Sequence, residues 1–536
     1  MSGSALLRAV HAGYRLSLVP ARRRFEHAAR SCEHAQLARL SRLVAANADT
    51  AYGRAHSFAR VHSLHDWRSR VPLVDYEALA PWVQRAASGE RAVLTTAPVR
   101  IFERTSGSTG AGKLVPYTDA LLGEFGAATG PWLHDLYAAF PALRGTRSYW
   151  SISPATRERE RTAGGIPVGF DDDTRYFGPV ARAALRQMLA VPAEVARLRD
   201  MDAWHAATAR HLVAADDLGL VSVWHPSFFT LLLDEIASRL DELLDAAEPR
   251  RAAEVRRRRA DRPLAEALWP RLAVVSCWMD GAAADALPAL RRAVPHATVQ
   301  AKGLLATEGV VSLPLVLGGK SRCVAAVAGH FLEFIDLDHP TRAPLLAHEL
   351  RAGACYSPVL TTAGGFYRYR MGDALRCTGF HLQAPILRFE GRCDQVSDLC
   401  GEKLDARLIA SAIERARSES GVAAAFALVA PVRADPPRYR VYAECGSDAE
   451  LALLTAALDR ALGSAPGYRY ARALSQLAPL EGVRVAEGEA RYRQAMIEAG
   501  GRAGDVKPTH LDARVEWDGV FGGRAAFIPT VSGVAP

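Results

Sequence analysis

Thr105-Ser-Gly-Ser-Thr-Gly-Ala-Gly-Lys113 gathers four hydroxyl side chains, three glycines and a lysine into nine positions. Glycine lets a backbone approach an anion closely and turn its N–H groups inward; hydroxyls donate to phosphate oxygens, and the lysine supplies charge. Residues 99–103 (Val-Arg-Ile-Phe-Glu) have strand character and would deliver the loop to a sheet edge, and the chain turns helical from Thr118. The stretch reads as a phosphate cradle in an α/β framework.

The pattern continues outward from the cradle. Residues 1–95 read mostly as helix, ending in Val71-Pro-Leu-Val and an amphipathic run over 76–87. Short apolar strands are expected at 148–153, 218–223 and 272–278. Helices separate them, such as 229–244, whose Leu232, Ile236, Leu240 and Leu243 share a face. A strand-rich section follows, over 298–311, 331–337 and 367–378. The segment from Gly391 to Gly401 reads as a boundary. Beyond it a βαβ-like piece has helices over 405–417 and 449–462, strands over 424–429 and 439–443, and a loop over 431–437. The expected fold class is α/β: a large N-terminal domain (residues 1–392) of helix-covered β-sheets, then a small, mobile α+β C-terminal domain (393–536).

Composition narrows the function. Half the residues are apolar and 23% charged, as in ordinary globular proteins, and the net charge of +8 is mild for 536 residues. The two compact basic runs, Arg22–Arg24 and Arg256–Arg259, lack interleaved aromatics and read as solvated faces, so no nucleic-acid partner is expected. No stretch of about 20 apolar residues occurs, which excludes a membrane-spanning helix. The eight cysteines contain no Cys-x-x-Cys pair; that argues against zinc and disulfides and for a cytoplasmic location. Only five of the 66 basic residues are lysines, at 113, 302, 320, 403 and 507. In so arginine-biased a chain, a retained lysine is a candidate for chemistry that a planar guanidinium cannot do. Lys302 and Lys320 are read as ordinary.

Four further constellations accompany the cradle. Gly303-Leu-Leu-Ala-Thr-Glu-Gly309 is a strand-to-loop corner with one carboxylate, Glu308, among small and apolar residues; such an acid needs a partner such as Mg²⁺. Tyr367-Arg-Tyr-Arg-Met-Gly-Asp373 closes a strand with an acid suited to ribose hydroxyls. Gly391-Arg-Cys-Asp-Gln-Val-Ser-Asp-Leu-Cys-Gly-Glu-Lys403 leads into a helix, and Gly504-Asp-Val-Lys507-Pro places a lysine in a turn-marked loop near the C-terminus. The cradle also satisfies Gly-x-x-x-x-Gly-Lys, so a P-loop NTPase stays open, with Phe331-Leu-Glu-Phe-Ile-Asp as its acidic strand. Against it, Leu114 stands where a P-loop carries the Mg²⁺-binding hydroxyl. A non-catalytic nucleotide-binding protein is also open.

In this order the motifs resemble the adenylate-forming superfamily of acyl-CoA synthetases, adenylation domains and luciferases. Within it the chain is similar to the Gretchen Hagen auxin-responsive family of acyl acid amido synthetases. That similarity is carried by Val71-Pro-Leu-Val-Asp-Tyr-Glu, Pro81-Trp-Val-Gln-Arg, Val223-Trp-His-Pro-Ser, Leu268-Trp-Pro-Arg-Leu, His330-Phe-Leu-Glu-Phe, Gly379-Phe-His-Leu-Gln-Ala-Pro and Tyr468-Arg-Tyr-Ala-Arg-Ala-Leu. It spans nearly the whole chain. Two departures are that Leu304 stands where the family usually has an aromatic, and that Val-Lys507-Pro lacks a following arginine.

The resemblance implies an ATP-dependent ligase that joins a carboxylic acid to AMP and passes the acyl group to an amine such as an amino acid, or, in the alternative, to CoA. On that reading Thr105, Ser106, Gly107, Ser108, Thr109, Gly110 and Lys113 cradle the phosphates of ATP. Glu308, beside Thr307 on the nucleotide, holds Mg²⁺. Asp373 and Arg392 grip the ribose, Lys403 lines the nucleotide, and Lys507 bridges the attacking carboxylate and the α-phosphate.

Overall fold

The computed structural model describes residues 3–105, 113–150, 160–169, 187–198, 200–393, 396–499, 506, 508–512 and 517–522. The chain divides into two compact units. The first comprises Met1–Met279, Leu287–Met371 and Leu375–Arg388; the second comprises Asp280–Ala286, Gly372–Ala374 and Phe389–Pro536.

The first unit opens with five helices, α1 (Gly3–Arg30), α2 (Cys32–Ala46), α3 (Ala51–Ala55), α4 (Leu64–Arg70) and α5 (Tyr76–Ala87). Asp75 caps α5 by accepting from the Ala78 N–H at 3.1 Å, and Leu79, Val83 and Ala86 bury one stripe of it. A hairpin follows, β1 (Ile101–Arg104) antiparallel to β2 (Leu114–Tyr117), and then α6 (Asp119–Ala139), capped by Thr118 through the Leu121 N–H at 3.1 Å. Helix α6 is apolar on most of its surface because α1 and a strand, Ser312–Leu317, both pack on it. Gly130 permits the approach of α1: a Cβ there would lie 2.8 Å from that of Ala21.

Two further sheets come later in the chain. One is parallel, with strands in the order β3 (Arg147–Trp150), β6 (Leu218–Ser222), β7 (Val274–Cys277) and β8 (Thr298–Ala301); the short strands Glu160–Arg161 (β4) and Pro167–Val168 (β5) belong to the β1–β2 sheet. The two central strands, β6 and β7, are buried along their whole length, and Val221, Val275, Phe229, Ile236 and Leu290 lie in the core of this layer. The expected helix over 229–244 is two, Pro226–Ser238 and Leu240–Asp245, broken at Arg239, although Leu232, Ile236 and Leu243 are buried as the periodicity requires. The other sheet has eight strands, among them Phe331–Asp336, Cys355–Thr361, Tyr369–Arg370 and Asp373–His381.

In the second unit the helix Ala406–Ser420 is capped by Asp405 and ends on Gly421 at φ +69°. Strands Phe426–Val432 and Arg438–Glu444 pair antiparallel, and Glu481–Arg484 adds in parallel after the helix Asp448–Leu462. The βαβ element is present; the loop before Arg438 is shorter than expected because the first strand extends to Val432.

A buried charge cluster ties helix α4 to the large sheet. Glu333 is 1% exposed at its side chain and accepts from Arg68 Nε and Arg368 Nε, each at 3.0 Å, with Trp67 Nε1 at 3.4 Å. Removing one partner of such a set leaves uncompensated buried charge, so Glu333→Ala should cost about 3–5 kcal/mol of stability. Glu90→Ala, which breaks the exposed Arg85 pair, should leave the denaturation midpoint unmoved. Chemical denaturation of both variants checks this; a Glu333 variant as stable as the parent would refute it.

Candidate active site

The cradle residues Ser106–Gly110 lie outside the described residues, but its two ends do not. The Thr105 N–H donates to the Lys113 carbonyl at 2.9 Å, and the Lys113 N–H donates to Thr105 Oγ1 at 3.3 Å. The register Arg104↔Leu114 continues this pairing into β1 and β2, so the loop closes as a hairpin tip. A P-loop is strand–loop–helix, whereas here the lysine enters a strand. That geometry removes the P-loop reading. Its supposed acidic strand is also engaged otherwise, since Glu333 is neutralised by two arginines.

Tyr76, the first residue of α5, grips the exit of the loop. Its hydroxyl accepts from the Leu114 N–H at 2.7 Å and lies 3.2 Å from the Leu114 carbonyl, and the Lys113 ammonium sits 5.5 Å from the centre of its ring. At the far end of β2, the Tyr117 hydroxyl donates to the Thr307 carbonyl at 2.6 Å. The corner bearing the single carboxylate is thus pinned to the strand that leaves the cradle. Glu308, half-buried, follows Thr307 and meets the Tyr369 hydroxyl at 3.4 Å. Tyr369 is fixed in turn: the Arg370 N–H donates to the Val74 carbonyl at 2.8 Å, and the Val74 N–H to the Arg368 carbonyl at 3.1 Å. Lys113, Thr307 and Glu308 therefore belong to one constellation with Tyr76 and Tyr369, two residues to which the sequence reading gave no role.

Among the described residues Glu308 has one long hydrogen bond, which leaves acceptor capacity on both oxygens. Among the described residues no group of three or more His, Cys, Asp or Glu side chains could hold a metal by protein ligands alone. A lone, accessible carboxylate beside a phosphate loop suits Mg²⁺ bound mainly by substrate phosphates and water.

In the second unit Gly372, at φ +75°, makes the turn that presents Asp373, and the buried Asp373 carboxylate accepts from Arg392 Nη1 at 3.2 Å. The expected pair for the ribose is together. Lys403 is exposed, adopts a left-handed φ of +47°, and makes no hydrogen bond or ion pair among the described residues. Lys507, and Asp394 in the expected boundary segment, lie outside the described residues.

Lys302, read as ordinary, is not. It is 4% exposed, its Nζ donates to Ser222 Oγ at 2.5 Å, and the rings of Trp224, Trp132 and Trp150 stand 5.0, 5.7 and 5.8 Å from it. Burial pulls its pKa down to about 7. Its signal in the sequence was the scarcity of lysine; nothing local marked it.

Comparison with known proteins agrees with this geometry. Family models described as the GH3 family N-terminal, central and C-terminal domains match residues 21–246, 323–392 and 407–514. The chain is 24% identical to "Probable indole-3-acetic acid-amido synthetase GH3.12" of Oryza sativa subsp. japonica, over 85% of this chain and 87% of that protein. It is 24% identical to "Indole-3-acetic acid-amido synthetase GH3.2" of Arabidopsis thaliana, over 78% and 85%. Its fold is similar to the solved "GH3.15 acyl acid amido synthetase", with a TM-score of 0.80 at 18% identity, covering 94% of this chain and 95% of that one. Among the described residues no helix is long and apolar enough to cross a membrane. With its three family domains matched in order along most of its length, the chain belongs to the GH3 family, and its fold is that of the adenylate-forming enzymes.

Proposed function

We propose that this protein is an acyl acid amido synthetase. It joins a carboxylic acid to AMP at the expense of ATP, releases pyrophosphate, and passes the acyl group to the amine of an amino acid. The observation that carries the reading is the hairpin-tip loop, closed between Thr105 and Lys113 and joined through Tyr76, Tyr117 and Tyr369 to Glu308, in a chain of this family. The amide-forming acceptor, rather than CoA, follows the names that the relatives bear.

Both partners in the first step are anions, so the chain's task is neutralisation and positioning. Thr105, Ser106, Gly107, Ser108, Thr109 and Gly110 donate to the β- and γ-phosphates, and Lys113 supplies charge. Asp373 accepts the ribose hydroxyls while Arg392 orients its carboxylate, and Lys403 lines the nucleotide. Glu308, with Thr307 beside it, holds Mg²⁺, whose bound charge would stabilise the departing pyrophosphate. The domain boundary falls at residues 392/393, and the C-terminal part moves between the two half-reactions, carrying Lys507 to the carboxylate and the α-phosphate for the first. The protein works in the cytoplasm.

Turnover should yield AMP and pyrophosphate, and only when an acid is supplied; ADP and phosphate as products would sink the reading. Glu308→Gln should lower acyl-AMP formation at limiting Mg²⁺ and recover in part as Mg²⁺ is raised. Full activity at limiting Mg²⁺ would take the metal away from Glu308. Tyr76→Phe loses a hydrogen bond worth about 1 kcal/mol, so the KM for ATP should rise about fivefold with the unfolding midpoint little changed. An unaltered KM would mean that Tyr76 does not set the loop. Lys507→Ala should lower acyl-AMP formation by orders of magnitude while aminolysis of supplied acyl-AMP stays largely intact. Measuring both half-reactions on that variant decides it, and equal loss in both, or none, refutes the assignment.

A further inference from the structure

The parallel sheet ends in a row of polar side chains that has no counterpart in the nucleotide constellation. Trp150, Ser222, Ser276 and Gln300 are register partners across β3, β6, β7 and β8, so they share one face, and Lys302 follows Gln300 on that face just beyond β8. Ser222, Ser276, Gln300 and Lys302 are each no more than 4% exposed. Trp132 Nε1 donates to Gln300 Oε1 at 3.1 Å, which turns the amide nitrogen of Gln300 away from Trp132. Among the described residues that Nε2 and the Ser276 hydroxyl have no hydrogen-bond partner, and Lys302 bonds only Ser222. An ammonium has three donors to satisfy. Donors that are buried, adjacent and unspent define a place for an acceptor-rich, negatively charged group.

We propose that Lys302, Gln300 and Ser276 form a buried carboxylate-binding site, and that it receives the second carboxylate of a dicarboxylic acid with an apolar body whose other carboxylate is adenylated. The proposal rests on the synthetase reading above for what happens to the other carboxylate. The site lies at the carboxyl ends of parallel strands, where open α/β sheets receive ligands. Its donors are separate from the groups of the nucleotide constellation. Helix α6 starts at the end of β2 remote from the cradle, with Thr118 next to Tyr117 and so near Thr307, and reaches Trp132 after about 20 Å of helix, and Trp132 is the residue bonded to Gln300. Lys302 is five residues from Thr307, a span of at most about 17 Å. The two carboxylates of one elongated diacid can occupy both places, one held here and the other at the nucleotide. The tryptophans give the flat apolar walls for its body.

The lysine also suits a reversible anion partner. Desolvation pulls its pKa to about 7, and its titratable neighbour Cys277 on β7 stays neutral because burial pushes that thiol up to about 12. Ser222, Trp132, Trp150 and Trp224, from the other elements packed on it, carry no charge. The ammonium form is present below about pH 7 and lost above it, so selection for a second carboxylate should be strongest near pH 6 and fade as pH rises.

The test compares straight-chain α,ω-dicarboxylates and benzene-1,4-dicarboxylate with their monomethyl esters, in the parent protein and in Lys302→Met. Binding is read by intrinsic tryptophan fluorescence, and adenylation by acid-dependent pyrophosphate release. The parent should prefer at least one diacid over its ester by about 30-fold or more. Lys302→Met should abolish that preference, with the KM for ATP unchanged and the unfolding midpoint not lowered. The same ratio in both proteins across the whole panel overturns the proposal. So does a Lys302→Met variant whose preference among acids is intact while its KM for the amino acid rises, because the carboxylate held there would be that of the amine partner. Discrimination in binding without any pyrophosphate release would leave the site standing and remove the synthetase reading. Release that is indifferent to the second carboxylate would do the reverse.

Discussion

A carboxylate withdrawn from water, Glu333, and the two guanidinium groups that hold it form the constraint on which the nucleotide side of the first unit depends. Helix α4 supplies Arg68 and the segment before Tyr369 supplies Arg368, so neither can move away without uncovering buried charge. Arg368 also donates to the carbonyl of Val71 at 2.8 Å, which fixes the turn that leads to Asp75 and the first residue of α5. Tyr76 stands there and grips Leu114. One residue beyond Arg368, Tyr369 reaches Glu308. A single buried cluster thus sets both walls of the constellation. Arg368 bears part of the cost: its φ of +48° is unfavourable for a residue with a Cβ, by about 1–3 kcal/mol.

The hairpin form of the loop has a chemical consequence. In a strand–loop–helix cradle the helix N-terminus contributes partial positive charge and free N–H groups to the phosphates. Here the loop returns into β2, and α6 begins only after Thr118, so the helix end is not aimed at the loop from within it. On the proposed reading, neutralisation would fall to side chains and to a cation. Lys113 lies at the base of the loop over the ring of Tyr76, where its ammonium is oriented yet remains available. Glu308, the carboxylate proposed to receive the cation, follows Thr307, which is anchored to the same strand through Tyr117. Charge and countercharge are therefore referred to one short strand.

Much of this was legible in the residues. The strands at 218–222 and 274–277 were visible because central strands of a covered parallel sheet are short and mostly apolar, and the one at 147–150 through Tyr149 and Trp150. The helix Ala406–Ser420 announced itself through the Asp405 cap and its apolar stripe. Glu308 and Asp373 stood out as acids in glycine-marked corners. What could not be read is what depends on distant pairing. Nothing in Phe331-Leu-Glu-Phe tells that Glu333 meets Arg68 and Arg368, and the motif looked as apt for a metal-binding acid as for a structural one. Arg239 interrupts a helix whose periodicity runs straight through it. Tyr76 and Tyr369 lay inside recognisable motifs without a role, because a tyrosine's task is set by whichever backbone or carboxylate its hydroxyl reaches.

Lys302 shows how far compositional reasoning carries and where it must yield to geometry. The scarcity of lysine raised all five as candidates, and local context then favoured those in glycine-rich loops, since phosphate chemistry occurs there. Lys302 was read as ordinary because no such motif surrounds it. Yet an ammonium inside a protein is costly by several kcal/mol after relaxation, and three aromatic faces and one hydroxyl offset only part of that. A methionine of similar reach would fill the same space without the penalty. A buried lysine that a hydrophobic residue could replace is best explained by something that arrives to meet it.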